Sequence, residues 1–162
     1  MILIKPIEIE DCTYIVKWNS LKDEDYLTQW AGPSTYSYPL TVEQITNRLN
    51  EKNTTIFKIL NKDIMTGSIE ITDINEVTGY GKVCRYILSD DFIGQGIGQK
   101  ALKNLVEYSF NELGLSHLEL RVYTFNVGAI KCYEKAGFTI SQLNENEKDS
   151  KWNSYTMTIS RE

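Results

Sequence analysis

The chain has 162 residues, 41% hydrophobic and 24% charged, which fits one globular domain over residues 1–162 and excludes disorder, collagen or coiled coil as its overall state. Its 22 acidic and 17 basic side chains give a net charge of −5, which argues against a general nucleic-acid binder because phosphate contacts need a basic surface. Three cysteines, odd in number and far apart, and one histidine, His117, supply neither a disulfide framework nor a metal cluster at ligand spacing, so no metal and a reducing compartment are expected.

The N-terminal segment interrupts its apolar character with Lys5, Pro6 and Glu8, so it lacks a signal-peptide core, and no apolar run reaches membrane-span length. A cytoplasmic protein without membrane or nucleic-acid partners is expected. Ile2 to Ile9 reads as a strand, followed by a short helix carrying Tyr14, Ile15 and Trp18. Asn19 to Pro39 has little periodicity and is expected to be an irregular loop around a short helix at most. Thr41 with Gln44 forms a capping-box pattern, and Val42, Ile45 and Leu49 extend a helix to about Lys52. Thr54–Leu60, Ile64–Ile74 and Lys82–Ser89 are rich in β-branched residues and separated by turn residues, which predicts a three-stranded antiparallel meander.

Gly94-Gln95-Gly96-Ile97-Gly98 then opens an amphipathic helix that Gly114 closes, with Ile97, Ala101, Leu102, Leu105 and Val106 on its apolar stripe. His117 to Thr124 alternates as a half-exposed strand, with His117 on the surface at its entrance. Asn126 caps a helix through Lys135, Gly137 stops it, and Phe138–Leu143 and Trp152–Ser160 complete the strands. The fold class is α+β.

A glycine turn between strand and helix is an anion site, because unpaired first-turn N–H groups and the positive helix end face outward. It is not a P-loop: Lys100 lies between Gln99 and Ala101, so both the lysine and the metal-binding hydroxyl are misplaced. Nor does it match a dinucleotide fingerprint, since Gln99 falls where GxGxxG needs its third glycine.

Roughly residues 83–138 resemble the core of the GNAT superfamily of acetyl-CoA-dependent N-acetyltransferases. The family's pyrophosphate loop falls on Ile93, Gly94, Gln95, Gly96, Ile97 and Gly98, with Ile93 where Arg or Gln is usual. Its later signature falls on Asn126, Ala129, Tyr133, Gly137 and Phe138. The stretch from Trp30 to Ile45, with Trp152 and Met157, is similar to the branch related to ribosomal-protein N-terminal acetyltransferases. The resemblance implies a mixed, mostly antiparallel sheet of six to seven strands flanked by helices, with splayed central strands making the acetyl-CoA cleft.

The same resemblance implies roles for particular residues. The diphosphate would lie on the loop amides from Gly94 to Gly98, continuing to Gln99 and Lys100. Pantetheine would pair with Ile87, Leu88 and Ser89, the Leu88 N–H serving the thioester oxygen. Asn126 is a helix cap on its own chemistry and gains a hydrogen bond to the pantetheine arm from the resemblance. Tyr133, whose phenol has an ordinary pKa of about 10, would protonate the leaving thiolate.

Glu70 is the candidate base, set against the reading of a solvated strand carboxylate. An exposed lysine acceptor would cost about 4.6 kcal/mol to neutralise at pH 7, but an α-amine only about 1 kcal/mol, so an α-amino acceptor needs no strong base. Asp23, Glu24, Asp25 and Glu43 offer negative charge to a cationic acceptor. The expected partners are acetyl-CoA and a primary amine, on a protein N-terminus or a small molecule, with the protein a monomer or homodimer. The rival is a catalytically silent acyl-CoA-binding module on the same fold.

Overall fold

The computed structural model describes residues 1–162. Seven strands form one sheet: β1 (Ile2–Pro6), β2 (Thr55–Asn61), β3 (Ile64–Asn75), β4 (Tyr80–Leu88), β5 (His117–Tyr123), β6 (Thr139–Asn144) and β7 (Ser154–Ser160), in the order β1-β2-β3-β4-β5-β7-β6. Every neighbouring pair is antiparallel except β4 and β5, which run parallel from Tyr80↔His117 to Val83↔Leu120. A parallel pair needs a crossover, and α4 (Ile97–Asn111) supplies it.

The helix α4 buries Ile97, Ala101, Leu102, Leu105 and Val106 against Phe57, Ile59, Ile69, Ile71, Leu118 and Leu120. Fully burying each leucine contributes about 2 kcal/mol. Helix α5 (Val127–Lys135) lies beside α4, with Ala129, Ile130 and Tyr133 against the same core. The opposite sheet face is covered by α1 (Cys12–Asn19), α2 (Glu24–Ala31) and α3 (Val42–Thr46), whose Ile15, Leu27, Ala31 and Ile45 pack with Ile56. No helix is long and apolar enough to cross a membrane.

Two elements differ from the sequence expectation, and a third fills in a short helix that it allowed. The first strand ends at Pro6, which has no N–H to continue the ladder, and a 3-10 turn over Ile9–Asp11 leads into α1. The Asn19–Pro39 segment contains the two-turn helix α2, capped by the Asp23 carboxylate, which accepts from the Tyr26 N–H at 2.9 Å, and ended by Gly32. Helix α3 stops at Thr46 instead of reaching Lys52, because Arg48 and Leu49 donate to the third residue back and the chain tightens into turns. Thr41 does cap α3, but the Gln44 side chain instead bonds the backbone of Ser37 and Pro39, stapling that loop to the helix.

The feature that shapes the site is a β-bulge. Ser68 pairs with Ile87 and Glu70 with Cys84, so Ile69 alone faces both Arg85 and Tyr86. Arg85 takes up the extra residue with φ +46°, a conformation that costs a non-glycine residue about 1 kcal/mol or more. Beyond it β4 no longer pairs with β5, and a gap opens in the middle of the sheet.

Candidate active site

The first wall of the gap is the glycine turn. Gly94 has φ +83° and Gly96 φ +76°, and a Cβ on either would meet no neighbour, so both glycines answer to backbone conformation and open space rather than to packing. The first helical bond of α4 runs from the Lys100 N–H to the Gly96 carbonyl, leaving the N–H groups of Ile97, Gly98 and Gln99 ahead of it without helical acceptors. Gly98 is different: a Cβ there would lie 2.4 Å from the Tyr86 hydroxyl. That hydroxyl is buried and has no hydrogen-bond partner, and burial drives its pKa well above the usual phenol value.

These groups open onto a cavity of about 590 Å³ lined by Ile87, Leu88, Ile93, Gly94, Gly96, Gly98, Gln99, Asn126 and Tyr133. Arg121, Lys131 and Lys135 also line it and no carboxylate does, in a chain whose net charge is negative. An extended, polyanionic cosubstrate such as acetyl-CoA fits this chemistry: free amides, local cations and an orphaned hydroxyl.

Four of the expected binding residues stand back from the cavity. Ser89 is buried and donates its N–H to Thr66 at 2.8 Å, Gln95 turns its amide to the Asp91 carbonyl at 3.1 Å, and Ile97 belongs to the core. Lys100 spends its N–H inside the helix. Asn126 caps α5 through Oδ1, which accepts from the Ala129 N–H at 3.3 Å, leaving its Nδ2 without a protein partner.

A second cavity, about 460 Å³, lies on the other side of the gap. Its walls come from the loop after α2 (Gly32–Thr35), from β4 at Lys82–Arg85, from β5 at Arg121–Tyr123, and from Asn144, Trp152 and Ser154 near β7. Gln29, Arg121, Val122 and Tyr133 line both cavities. Tyr133 therefore stands where the two meet. Its ring packs at 6.5 Å from Tyr86 and 6.3 Å from Phe138, and burial raises its phenol pKa, with smaller contributions from Cys132 and Cys84.

Glu70 overturns the picture of a solvated carboxylate. It is 1% exposed, on the sheet face covered by α1–α3. One oxygen accepts from Arg48 Nη1 at 2.5 Å, and the other accepts from Arg85 Nε and from Cys84 Sγ. Arg48 continues to the Tyr36 hydroxyl at 3.1 Å, and Arg85 to Thr35 Oγ1 at 2.9 Å. Burial works against the Arg48 cation, but its hydrogen bond and attraction to Glu70 outweigh this and hold the guanidinium above its ordinary pKa. Burial, then the Glu70 charge, keep Cys84 a thiol. The network ties the bulge residue Arg85 to the loop that walls the second cavity. Sequence reasoning missed Arg48, Arg85 and Tyr86, because their meeting depends on the bulge.

The remaining acids lie elsewhere: Asp23 caps α2, Asp25 pairs with Lys151, and neither they nor Glu24 or Glu43 line the second cavity. His117 stacks on Tyr80 at the start of β5, and no group of three or more His, Cys, Asp or Glu side chains is placed to hold a metal.

The model of the acetyltransferase (GNAT) domain matches residues 2–139. The chain belongs to this family. It is 26% identical over 146 residues to a probable N-acetyltransferase, YjcK, of Bacillus subtilis, covering 85% of this chain and 80% of that protein. Spermidine N(1)-acetyltransferase of Escherichia coli K12 is 23% identical over 137 residues, covering 85% and 72%.

Among solved structures, spermidine N-acetyltransferase from Vibrio cholerae in complex with CoA and spermine superimposes with a TM-score of 0.82 at 17% identity, covering 98% of this chain and 95% of that one. At that identity the likeness speaks for the fold alone. The chain is an acetyl-CoA-dependent N-acetyltransferase, and its activity is transfer of an acetyl group to an amine.

Proposed function

We propose that acetyl transfer takes place at Tyr133, with acetyl-CoA in the glycine-loop cavity and the amine in the second cavity. The observation that carries this reading is the meeting of the two cavities at one half-buried phenol. The amides of Gly94 to Gln99 hold the diphosphate, with Ile93 at the rim. Ser89 donates its N–H to β3, so strand alternation turns the Leu88 N–H into the gap, where it stabilises negative charge developing on the thioester oxygen. Ile87 and Leu88 line the arm's path, and Asn126 Nδ2 donates to it.

Tyr133 holds its proton at Oη through neutral pH and gives it to the departing sulfur. Glu70 acts as a positioning residue: with both oxygens engaged, it fixes Arg85 in the bulge and leaves the amine proton to water. This suits an amine that is already partly neutral near pH 7, such as a peptide α-amine. The three free cysteines support a cytoplasmic setting.

A panel of amines offered with acetyl-CoA, followed by CoA release, tests the reading. Amine-dependent release is expected. Binding of acetyl-CoA with no release across the panel would instead favour a silent binding module.

A further inference from the structure

We propose that the amine acceptor carries an acidic group, and that Lys82 and Arg121 recognise it. The inference rests on reading the second cavity as the acceptor side and adds a substrate class to it. That cavity is lined by Lys82, Arg85 and Arg121, against a single carboxylate, Glu145. Arg85 is committed to Glu70 and Thr35. Lys82 and Arg121 are not: neither takes part in an ion pair or side-chain hydrogen bond, although the protein as a whole carries an excess of acids.

Glu119, opposite Lys82 in the β4–β5 register, instead accepts from the Tyr80 hydroxyl at 3.2 Å and does not line the cavity. Glu145 and Arg121 are both exposed at the cavity, and Lys82 is half-buried, so the cations outnumber the one carboxylate there. Asp23 caps α2 and Asp25 pairs with Lys151, and neither lines this cavity.

The placement also has a direction. Arg121 lines both cavities, as Tyr133 does, while Lys82 lines only the acceptor cavity, on the adjoining strand. A carboxylate or phosphate bridging these two cations would leave the other end of the same molecule free to present its amine at Tyr133. A polyamine in the same position would set ammonium groups against two unpaired cations, a juxtaposition that interfaces use to reject wrong partners. Acceptor preference is therefore written by the sign of the charge at the end remote from the reacting nitrogen.

The test compares short ω-amino acids and acidic dipeptides with α,ω-diamines of matched length and with spermidine, by kcat/KM from CoA release. The wild type is expected to favour the acidic acceptors by about tenfold or more, less so as salt is raised. Lys82→Glu should reverse the ratio by about 10²-fold while leaving acetyl-CoA affinity unchanged in calorimetry, and Lys82→Gln should give a partial shift. If Lys82→Glu fails to fold, Lys82→Gln carries the test. Diamines acetylated as well as amino acids by the wild type, or a ratio indifferent to every charge change, would overturn the proposal while leaving acetyl transfer intact. Silence towards every amine would remove the acetyl-transfer reading itself and the proposal with it.

Discussion

The two cavities at the gap are built from different materials. On the proposed cosubstrate side the glycine turn offers free main-chain amides, joined by side chains from β5 and α5 such as Arg121, Asn126 and Tyr133. The second cavity, the proposed acceptor side, is lined by side chains from segments distant in sequence, with the bulge residue Arg85 among them and tied to Glu70. A main-chain site tolerates exchange of side chains so long as no Cβ or charge intrudes, whereas a side-chain site changes its preference with each substitution. Under the proposed assignment the fold keeps the cosubstrate fixed while leaving the acceptor free to vary.

Glu70→Ala strikes the acceptor side at its root. It leaves two guanidinium groups buried without their carboxylate, and should destabilise the protein by about 3–5 kcal/mol in urea denaturation. A loss below about 1 kcal/mol would show that the network does not hold the wall. On the other side, Gly96→Asp should lower acetyl-CoA affinity by about 10²-fold in calorimetry, since it combines a left-handed backbone with an anion beside the diphosphate. Unchanged affinity would break the main-chain account.

Tyr133→Phe, at the meeting point, should lower kcat by about 10²-fold with acetyl-CoA affinity kept within about twofold. Because burial raises this phenol, its proton stays in place up to and beyond pH ~10, so activity dependent on it should not fall between pH ~7 and ~9. The stability sign follows. The unfolded chain releases the proton near pH ~10 while the folded one retains it, so this contribution is complete below that pH and is lost as pH rises further. The smallest effect belongs to Ile93, 60% exposed at the cavity rim: Ile93→Arg should tighten acetyl-CoA binding by about threefold, the scale of an exposed ion pair.

The cosubstrate wall was legible because its signal is local. Glycines at alternate positions before an amphipathic helix require a particular backbone, and Asn126 with Tyr133 keep helical spacing. The acceptor wall was not, for a reason visible in Glu70: alternation along β3 placed Ser68 and Thr72 on its face, but nothing nearby in sequence announced Arg48 or Arg85 as its partners. The short helix α2 did carry a signal, an Asp23 cap, two acids in the first turn and a Gly32 stop, obscured by the scarcity of apolar repeats in so few turns. The bulge itself leaves no composition trace, since Arg85 occupies a conformation more often given to glycine or asparagine.

The strand order has a consequence for how the protein is made. β7 lies between β5 and β6 and pairs with both, so these two, though synthesised earlier, are joined in the sheet only once β7 arrives. While the ribosome still holds the residues after Asn144, the chain can assemble β1 to β4 and lay down α4, but the edge of β5 waits bare. Trp152 and Ser154 of the acceptor wall are also still missing. During synthesis the glycine-loop half matures first, and the exposed β5 edge makes that interval the time when the nascent chain is most open to pairing with a wrong strand.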